Sequence, residues 1–349
     1  MAVIFCDGFD WWSGGHSGGS FSGSMAKRWT APTNTATSGG SGGAYARQGG
    51  QGYYINRDNN DGGFYRSFGA NYASGLVGFA YKADNAQANR TFFQILDGTS
   101  EQISIRTNGS SVPIISRSGT TLATGSTVLS TGTWYYFELK FTINNSTGVV
   151  ELKLNGTSEI ASTSSLNTRS TGNNYFNGIA PYMSGNNGNR NYFDDIYVLD
   201  TSTGSNTTFL GPVQVVGLNP AANGNYAQWT PNGGSNVGSA GDLFEDGDTS
   251  FNQSSTANQI DTYVLKDLPA AAGSVYAVAH HTVARQDGGS ARTMRPKYRI
   301  GGSDYNGSNF NTGGSYAANT EYKDVSPATS SAWTVSEVNG METGYELVS

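Results

Sequence analysis

The sequence contains a single cysteine, Cys6, and three histidines among 349 residues. One cysteine cannot build an intramolecular disulfide framework. So few histidine and cysteine side chains also leave zinc sites and nucleophilic triads without their parts. Because Cys6 follows the apolar residues Val3, Ile4 and Phe5, we expect it to be a buried small hydrophobe.

Long hydrophobic runs and clustered basic residues are also lacking. No stretch approaches the roughly 18 apolar residues that a membrane span requires. The opening residues carry no basic segment and too short an apolar run for a signal peptide, so we expect a chain made in a cytoplasm. Only 13% of the residues are charged, and 20 basic against 26 acidic residues give a net charge of -6. We therefore expect neither nucleic-acid binding nor membrane insertion.

Glycine and aromatic residues are abundant, with 48 Gly, 20 Tyr, 16 Phe and 6 Trp. Glycine disfavours helix interiors by about 1 kcal/mol relative to alanine, whereas aromatic side chains suit pleated sheets. The composition predicts an all-β fold, and the hydrophobic content of 36% is enough for two cores.

The clearest local pattern is the alternation of apolar and polar residues over 134–155, which predicts an antiparallel hairpin. Glu138 and Lys140 precede the turn, and Glu151 and Lys153 follow it. Opposite charges on facing strands stabilise each other. We therefore expect a solvated cross-strand charge cluster rather than a catalytic acid–base pair.

Further short strands, separated by turn residues, indicate a sandwich or jelly roll. The chain is predicted to form a jelly-roll domain over 1–205, a linker over 206–222 and a smaller β domain over 223–349. Thr334 and Glu337 match a capping box, and helical spacing continues to Tyr345, which predicts one short helix near the end of the chain. The predicted strands are 63–68, 75–82, 91–97, 102–107, 112–117, 192–199, 260–266, 274–285 and 292–300.

Seven motifs carry a resemblance to known proteins. They are IFCDGFD at 4–10, TWYYFELK at 133–140, VELKLNG at 150–156, FDDIYVLD at 193–200, FLGPV at 209–213, YAQWTP at 226–231 and AWTVSEVN at 332–339. The first four look like a concanavalin A-like, laminin G-like jelly roll. Together with the last three, they resemble virion structural proteins of tailed bacteriophages.

The resemblance implies a capsid decoration, head-fibre or tail-appendage subunit located in the virion. Its partners would be other copies of itself, as a trimer or other symmetric oligomer, and other virion proteins of the shell or tail. The alternative is a carbohydrate-binding adhesin that recognises host surface glycans, and a third reading is a glycan depolymerase. The Glu-x-Asp-x-x-Glu run of glucanases that share the fold is missing, so the expectation is that the chain is not an enzyme.

For glycan binding, the useful groups are aromatic faces that stack on sugar rings and polar loop residues that bond hydroxyls. The same aromatic residues could instead belong to the core or to a subunit interface. The candidates are Trp11, Trp12, Tyr53, Tyr54, Asn186 and Arg190.

No cofactor is expected, with calcium as the one alternative because hard carboxylate and amide oxygens are grouped beside glycines. Ordinary turn chemistry explains the same residues. The calcium candidates are Asp58, Asn60 and Asp61, and Glu245, Asp246 and Asp248. Asp194 and Asp195 are expected to be structural, with one facing outward and the other bonded to backbone amides near a loop.

Overall fold

A computed structural model of the chain describes residues 3–33, 37–57, 61–85, 88–184, 190–241 and 246–349. Residue contacts divide it into two compact units, Met1–Val216 and Gly217–Ser349. Strands account for 51% of the residues and helices for 5%. The predicted all-β fold class is confirmed.

Within the described residues, the first unit is built almost wholly of strands, numbered here in chain order. They are β1 (Val3–Asp7), β2 (Gly14–Ser17), β3 (Ser20–Gly23), β4 (Ala31–Pro32), β5 (Thr37–Gly42), β6 (Gly52–Arg57), β7 (Gly62–Tyr72), β8 (Ser74–Ala83), β9 (Thr91–Asp97), β10 (Ser100–Thr107), β11 (Pro113–Arg117), β12 (Thr120–Thr124), β13 (Tyr135–Thr142), β14 (Gly148–Leu154), β15 (Thr157–Leu166), β16 (Phe176–Met183) and β17 (Arg190–Asp200).

These strands form two antiparallel sheets. The first sheet has the order β15-β14-β13-β8-β17-β6-β5-β2-β3, with β1 also paired to β17. The second has the order β12-β11-β10-β9-β16-β7-β4. Neighbours in each sheet are often distant in sequence, so the chain crosses between the sheets, as it does in a jelly roll.

The core of the first unit lies between the two sheets and is rich in aromatic rings. Phe79 of the first sheet stacks on Phe93 of the second with ring centroids 4.1 Å apart, and Tyr81 stacks on Phe92 at 4.3 Å. All four side chains are buried. Burying a side chain of this size stabilises the fold by roughly 1.5–3 kcal/mol, so these cross-sheet pairs hold the sandwich together.

The predicted hairpin is present, and its register pairs Phe137 with Leu154 and Glu138 with Lys153. The predicted solvated charge cluster is wrong in one respect. Glu138 is fully buried, and its Oε1 accepts the Tyr197 hydroxyl and the backbone N–H groups of Leu210 and Gly211. Strand alternation placed Glu138 on the outer face correctly, but a later segment of the chain covers that face.

The glycine-rich residues near the start form strands, although no strand was predicted there. His16 lies in β2, between β3 and β5 of the first sheet, and is buried. A Cβ on Gly15 would meet the Gly39 carbonyl oxygen, and a Cβ on Gly39 would meet the Tyr54 carbonyl oxygen. Glycine is needed at these positions because neighbouring strands approach closely, and not because the chain turns there.

In the described part of the second unit, strands again predominate. They are β18 (Pro220–Ala227), β19 (Thr230–Pro231), β20 (Asn252–Gln253), β21 (Ile260–Leu265), β22 (Val278–Ala284), β23 (Thr293–Ile300), β24 (Ser303–Asn306), β25 (Phe310–Asn311), β26 (Ala317–Lys323) and β27 (Glu342–Leu347), with the short helices α1 (Asn236–Ala240) and α2 (Val335–Gly340). The main sheet has the order β18-β21-β27-β23-β24, with β25 also on β23, and β22 pairs with β26.

The capping box predicted at Thr334 and Glu337 opens α2 and is confirmed. The helix is shorter than the spacing suggested, because Tyr345 lies in β27, opposite Asp261 and Pro296 of the two neighbouring strands. Pairing on both sides of β27 outweighs the local helical pattern. None of the helices in the described ranges is both long and apolar enough to cross a membrane.

Candidate functional site

Two of the predicted glycan-binding residues, Trp12 and Tyr53, are fully buried in the core of the first unit. The Trp12 indole N–H donates to the Asp7 carboxylate, and the Tyr53 hydroxyl is hydrogen-bonded to His16 Nδ1 at 2.8 Å. Their prediction as sugar-stacking rings is therefore wrong, since no ring face is open to a ligand. Trp11 packs partly buried against the same core, with the Arg28 guanidinium carbon 5.2 Å from its ring centroid.

Asp7 organises this part of the core. Its carboxylate accepts hydrogen bonds from the Trp12 and Trp29 indoles and from the Phe9 backbone N–H, and Arg28 Nε lies 3.7 Å away. Burial raises the pKa of Asp7 above its usual value, while Arg28 opposes that shift. The cluster orients two tryptophans and is enclosed, so it supports the fold rather than a ligand.

A different set of aromatic residues lies on the outer face of the first sheet. Tyr192 stands opposite Tyr54 of β6 on one side and opposite Lys82 of β8 on the other. Trp134 directly precedes β13, where Tyr135 pairs with Tyr81. The side chains of this face form a continuous group that we call the aromatic row: Tyr45, Tyr54, Tyr192 and Trp134, with the cations Lys82 and Arg190.

The rings of the row contact one another in sequence. Ring centroids are 4.6 Å apart for Tyr45 and Tyr54, 5.9 Å for Tyr45 and Tyr192, and 6.5 Å for Trp134 and Tyr192. Tyr45, Tyr54 and Trp134 are half-buried, whereas Tyr192 is 7% exposed. The row thus has a buried centre and open ring surface on both sides.

Both cations of the row lie over its rings. Lys82 Nζ is 4.4 Å from the Tyr192 centroid and 5.0 Å from that of Trp134. The guanidinium carbon of the exposed Arg190 is 4.8 Å from the Tyr54 centroid. Such cation–π contacts contribute about 0.5–1 kcal/mol at exposed sites, so they hold the two cations in place on the surface.

The Tyr192 hydroxyl is the polar centre of the row. It donates to the Asp84 carboxylate at 2.8 Å. Desolvation, followed by this hydrogen bond, raises the pKa of Tyr192, and a hydrogen bond with Tyr192 raises the pKa of Arg190. Tyr192 therefore stays neutral and Arg190 stays charged over the physiological pH range.

Of the residues predicted to bind glycan, the structure brings together Tyr54 and Arg190. Asn186 lies outside the described residues. Tyr45, Lys82, Trp134 and Tyr192 were not predicted as site residues, although strand alternation places Tyr192 and Lys82 outward, next to the core residues Phe193 and Tyr81. That alternation was the available signal, but grouping the four needs the strand order of the sheet.

The predicted calcium ligands are not gathered into a site where the structure describes them. Asp246 accepts from the backbone N–H and hydroxyl of Ser250, as in a turn. Asp248 accepts from Arg285 and the Tyr316 hydroxyl, both at 2.9 Å. Asp61 is exposed just before β7, and the described ranges contain no group of three metal-ligating side chains. Asp58, Asn60 and Glu245 lie outside those ranges.

Elsewhere on the outer face of the first sheet, buried carboxylates hold residues 209–216, which we call the strap. Glu138 accepts the Leu210 and Gly211 N–H groups, each at 2.9 Å. Asp195 accepts the Val215 N–H at 2.8 Å, and Arg47 donates to the Val213 carbonyl. These bonds fasten the strap to the sheet at several points.

Asp194 and Asp195 are adjacent and both buried, so the expectation that one faces outward is wrong. The register of β17 with β8 shifts between Asp194 and Tyr197, and Arg47 and Val215 donate to the two carboxylates from outside the sheet. Arg47 binds both: its N–H donates to Asp194 and its guanidinium to Asp195, each at 2.8 Å. Burial, and then the neighbouring Asp195 carboxylate, raise the pKa of Asp194 to about 9.

Comparisons with known proteins give matches at the level of fold. No protein-family model and no curated protein matches the sequence. A galectin-like protein from Bacillus subtilis covers 57% of this chain and 96% of its own, at 11% identity and a TM-score of 0.37. A GH131 beta-glucanase catalytic domain from Podospora anserina matches 56% of this chain and 87% of its own length, at 14% identity and a TM-score of 0.34. An alginate lyase matches 46% of this chain and 80% of its own length, at 13% identity and a TM-score of 0.28.

These matches correct one prediction. The chain was expected not to be an enzyme, and that prediction does not stand, because the matched structures include alginate lyases and a beta-glucanase catalytic domain. At identities of 11–14%, the likeness concerns the fold alone.

Proposed function

We propose that the first unit binds carbohydrate through the aromatic row. The observation that carries this proposal is the grouping of half-exposed rings with hydrogen-bonding cations on one face of the first sheet. Aromatic rings offer apolar surface with a defined geometry, which suits the C–H faces of sugar rings. Ammonium and guanidinium groups supply N–H donors for sugar oxygens.

The extent of the row favours an oligosaccharide over a single sugar. It crosses from β6 through β17 and β8 to the start of β13, which is three inter-strand spacings. At about 4.8 Å per spacing, this is roughly 14 Å. The row follows the hydrogen-bonding direction of a rigid sheet, so its groups are held in position before a ligand binds.

Binding is tested with the full chain on immobilised neutral and acidic polysaccharides, followed by calorimetry on any that retain it. Trp134→Ala and Tyr54→Ala should each weaken binding at least tenfold, while leaving the thermal midpoint of unfolding close to that of the parent chain. Tyr276→Ala is the matched control, since Tyr276 is 38% exposed in the second unit. Row variants that bind as tightly as the parent would overturn the proposal.

The same samples should be assayed for new reducing ends and for unsaturated sugar products. Release of either by the parent chain, and its loss in the row variants, would extend the proposal from binding to cleavage at this face. Products released equally by the row variants would place the saccharide site elsewhere and overturn the assignment of the row.

We propose further that the chain is a structural protein of a tailed bacteriophage particle. This proposal is supported by the motifs at 4–10, 133–140 and 193–200 together with 209–213, 226–231 and 332–339. Several copies in a symmetric oligomer, such as a trimer, would present several rows to host surface glycans, and repeated weak contacts would add to a strong attachment.

Mass spectrometry and antibody labelling of purified particles test the virion proposal. We expect the chain in particles, in many copies on the head for a decoration protein or a few on the tail for an attachment protein. Its absence from particles would overturn the virion proposal and leave the carbohydrate proposal standing.

A further inference from the structure

The two cations of the aromatic row have no acidic partner in the described ion pairs. Two ion pairs described in this unit, Asp7 with Arg28 and Asp195 with Arg47, have buried carboxylates that lie outside the row. The Asp84 carboxylate accepts the hydroxyl of Tyr192, a residue of the row, at 2.8 Å. In a chain of net charge -6, the row thus presents Lys82 and Arg190 together, and within the described ranges neither forms an ion pair with a carboxylate.

We infer that the ligand of the row is an acidic saccharide chain bearing carboxylates, and that Lys82 and Arg190 determine this specificity. The inference rests on the proposed carbohydrate function and adds the charge class of the ligand. A guanidinium presents parallel N–H donors that match the two oxygens of a carboxylate. An ammonium adds a second, less directional point of charge.

The positions of the cations favour binding without reordering. Arg190 lies over Tyr54 and Lys82 between Trp134 and Tyr192, so less side-chain freedom is lost when a ligand arrives. The two cations lie on either side of Tyr192, with Lys82 paired to it across the strands and Arg190 two residues before it. A saccharide chain lying across the row would therefore meet both cations.

The experiment compares polysaccharides that differ only in carboxylate charge. Polygalacturonate, hyaluronan and polysialic acid are each titrated against the full chain beside their carboxyl methyl esters. We expect at least one acid to bind about tenfold more tightly than its ester. Raising the salt from about 0.05 to 0.5 M should narrow that difference, because salt screens exposed charges.

Lys82→Gln and Arg190→Gln should each weaken binding of that acid about fivefold, as expected for an exposed charge pair, and should weaken binding of the ester less. Arg190→Lys should lose part of the preference and Lys82→Arg should keep it. The control is Lys140→Gln, which removes a cation from the same face of the sheet outside the row and should change nothing. Thermal midpoints of unfolding verify that every variant is folded.

Each outcome separates this inference from the proposed function. Equal binding of acids and esters would overturn the inference and leave the carbohydrate proposal intact. Preference for a sulfated polysaccharide over all the carboxylated ones would also overturn it. Failure of every neutral and acidic saccharide to bind would overturn the proposed function itself.

Discussion

Tyr197 donates its hydroxyl to the Glu138 carboxylate at 2.6 Å, across a third strand that separates β17 from β13. Gly78 of β8 stands between the two residues and is paired in register with both. A Cβ on Gly78 would meet the Tyr197 ring. Because Gly78 has no side chain, the Tyr197 ring can lie across β8 and its hydroxyl can reach the Glu138 carboxylate on β13.

Substitution of Gly78 tests that relationship. Gly78→Ala should lower the free energy of unfolding by about 2 kcal/mol, because overpacking of a close-packed site typically costs about 1–3 kcal/mol. Gly172→Ala is the control, since a Cβ there meets nothing within 4 Å. Urea unfolding of both variants gives the comparison, and equal stability of the two would contradict the assigned role of Gly78.

Glu138 should stabilise the strap as well as the sheet. Glu138→Ala leaves the Tyr197 hydroxyl and two strap N–H groups without their acceptor, and we expect a loss of about 3 kcal/mol in the free energy of unfolding. Chymotrypsin should also cut at Phe209 or Leu210 faster than in the parent chain. Glu138→Gln retains a side-chain oxygen and should lose less.

Glu151→Gln serves as the control for Glu138, since Glu151 lies in the same hairpin opposite Lys140 and is half-buried. It should change neither stability nor cleavage of the strap. Slow cleavage in Glu138→Ala, matching the parent chain, would show that the strap does not depend on this carboxylate.

Asp194 gives the fold a pH dependence of definite sign. Its pKa is raised from 3.8 to about 9 by burial, so between these values the folded state binds more protons than the unfolded state. Stability from this group is present at acidic pH and is lost as the pH rises towards 9. Unfolding by urea at pH 5, 7 and 9 should show a decline that is smaller in Asp194→Asn. An unchanged decline in that variant would assign the effect to other groups.

Cys6 should react slowly in the folded protein. Desolvation raises the pKa of its thiol to about 11, and the thiolate is the reactive form. Labelling with a disulfide reagent at pH 8 should be much slower for the native chain than for the chain in urea, where the thiol regains an ordinary pKa. Equal labelling rates would mean that Cys6 is open to solvent.

Local periodicity was sufficient for much of the fold and for little of the site. The hairpin over 134–155 was predictable because each strand buries one face, so apolar and polar residues alternate along the sequence. The strands around His16 were not, because glycines there serve close approach between backbones and leave no hydrophobic pattern.

The aromatic row depends on strand order, which brings together Tyr54, Lys82 and Tyr192 from positions far apart in the chain. No local pattern carries that information. The prediction that Glu138 is solvated was wrong for a related reason. Its position on the outer face was correctly expected, but the strap that buries it comes some seventy residues later in the sequence.

The strap also has a mechanical consequence for a chain that is pulled through its second unit. Tension entering at Gly217 loads the Val215 and Gly211 hydrogen bonds one after another before it reaches β17, so they can open singly as a zipper does. Opening all eight residues would free a segment at most about 28 Å long while both β-sheets of the first unit stay intact. The strap would thus extend under tension, and could bind again when the tension falls, before any strand of the first unit is pulled from its sheet.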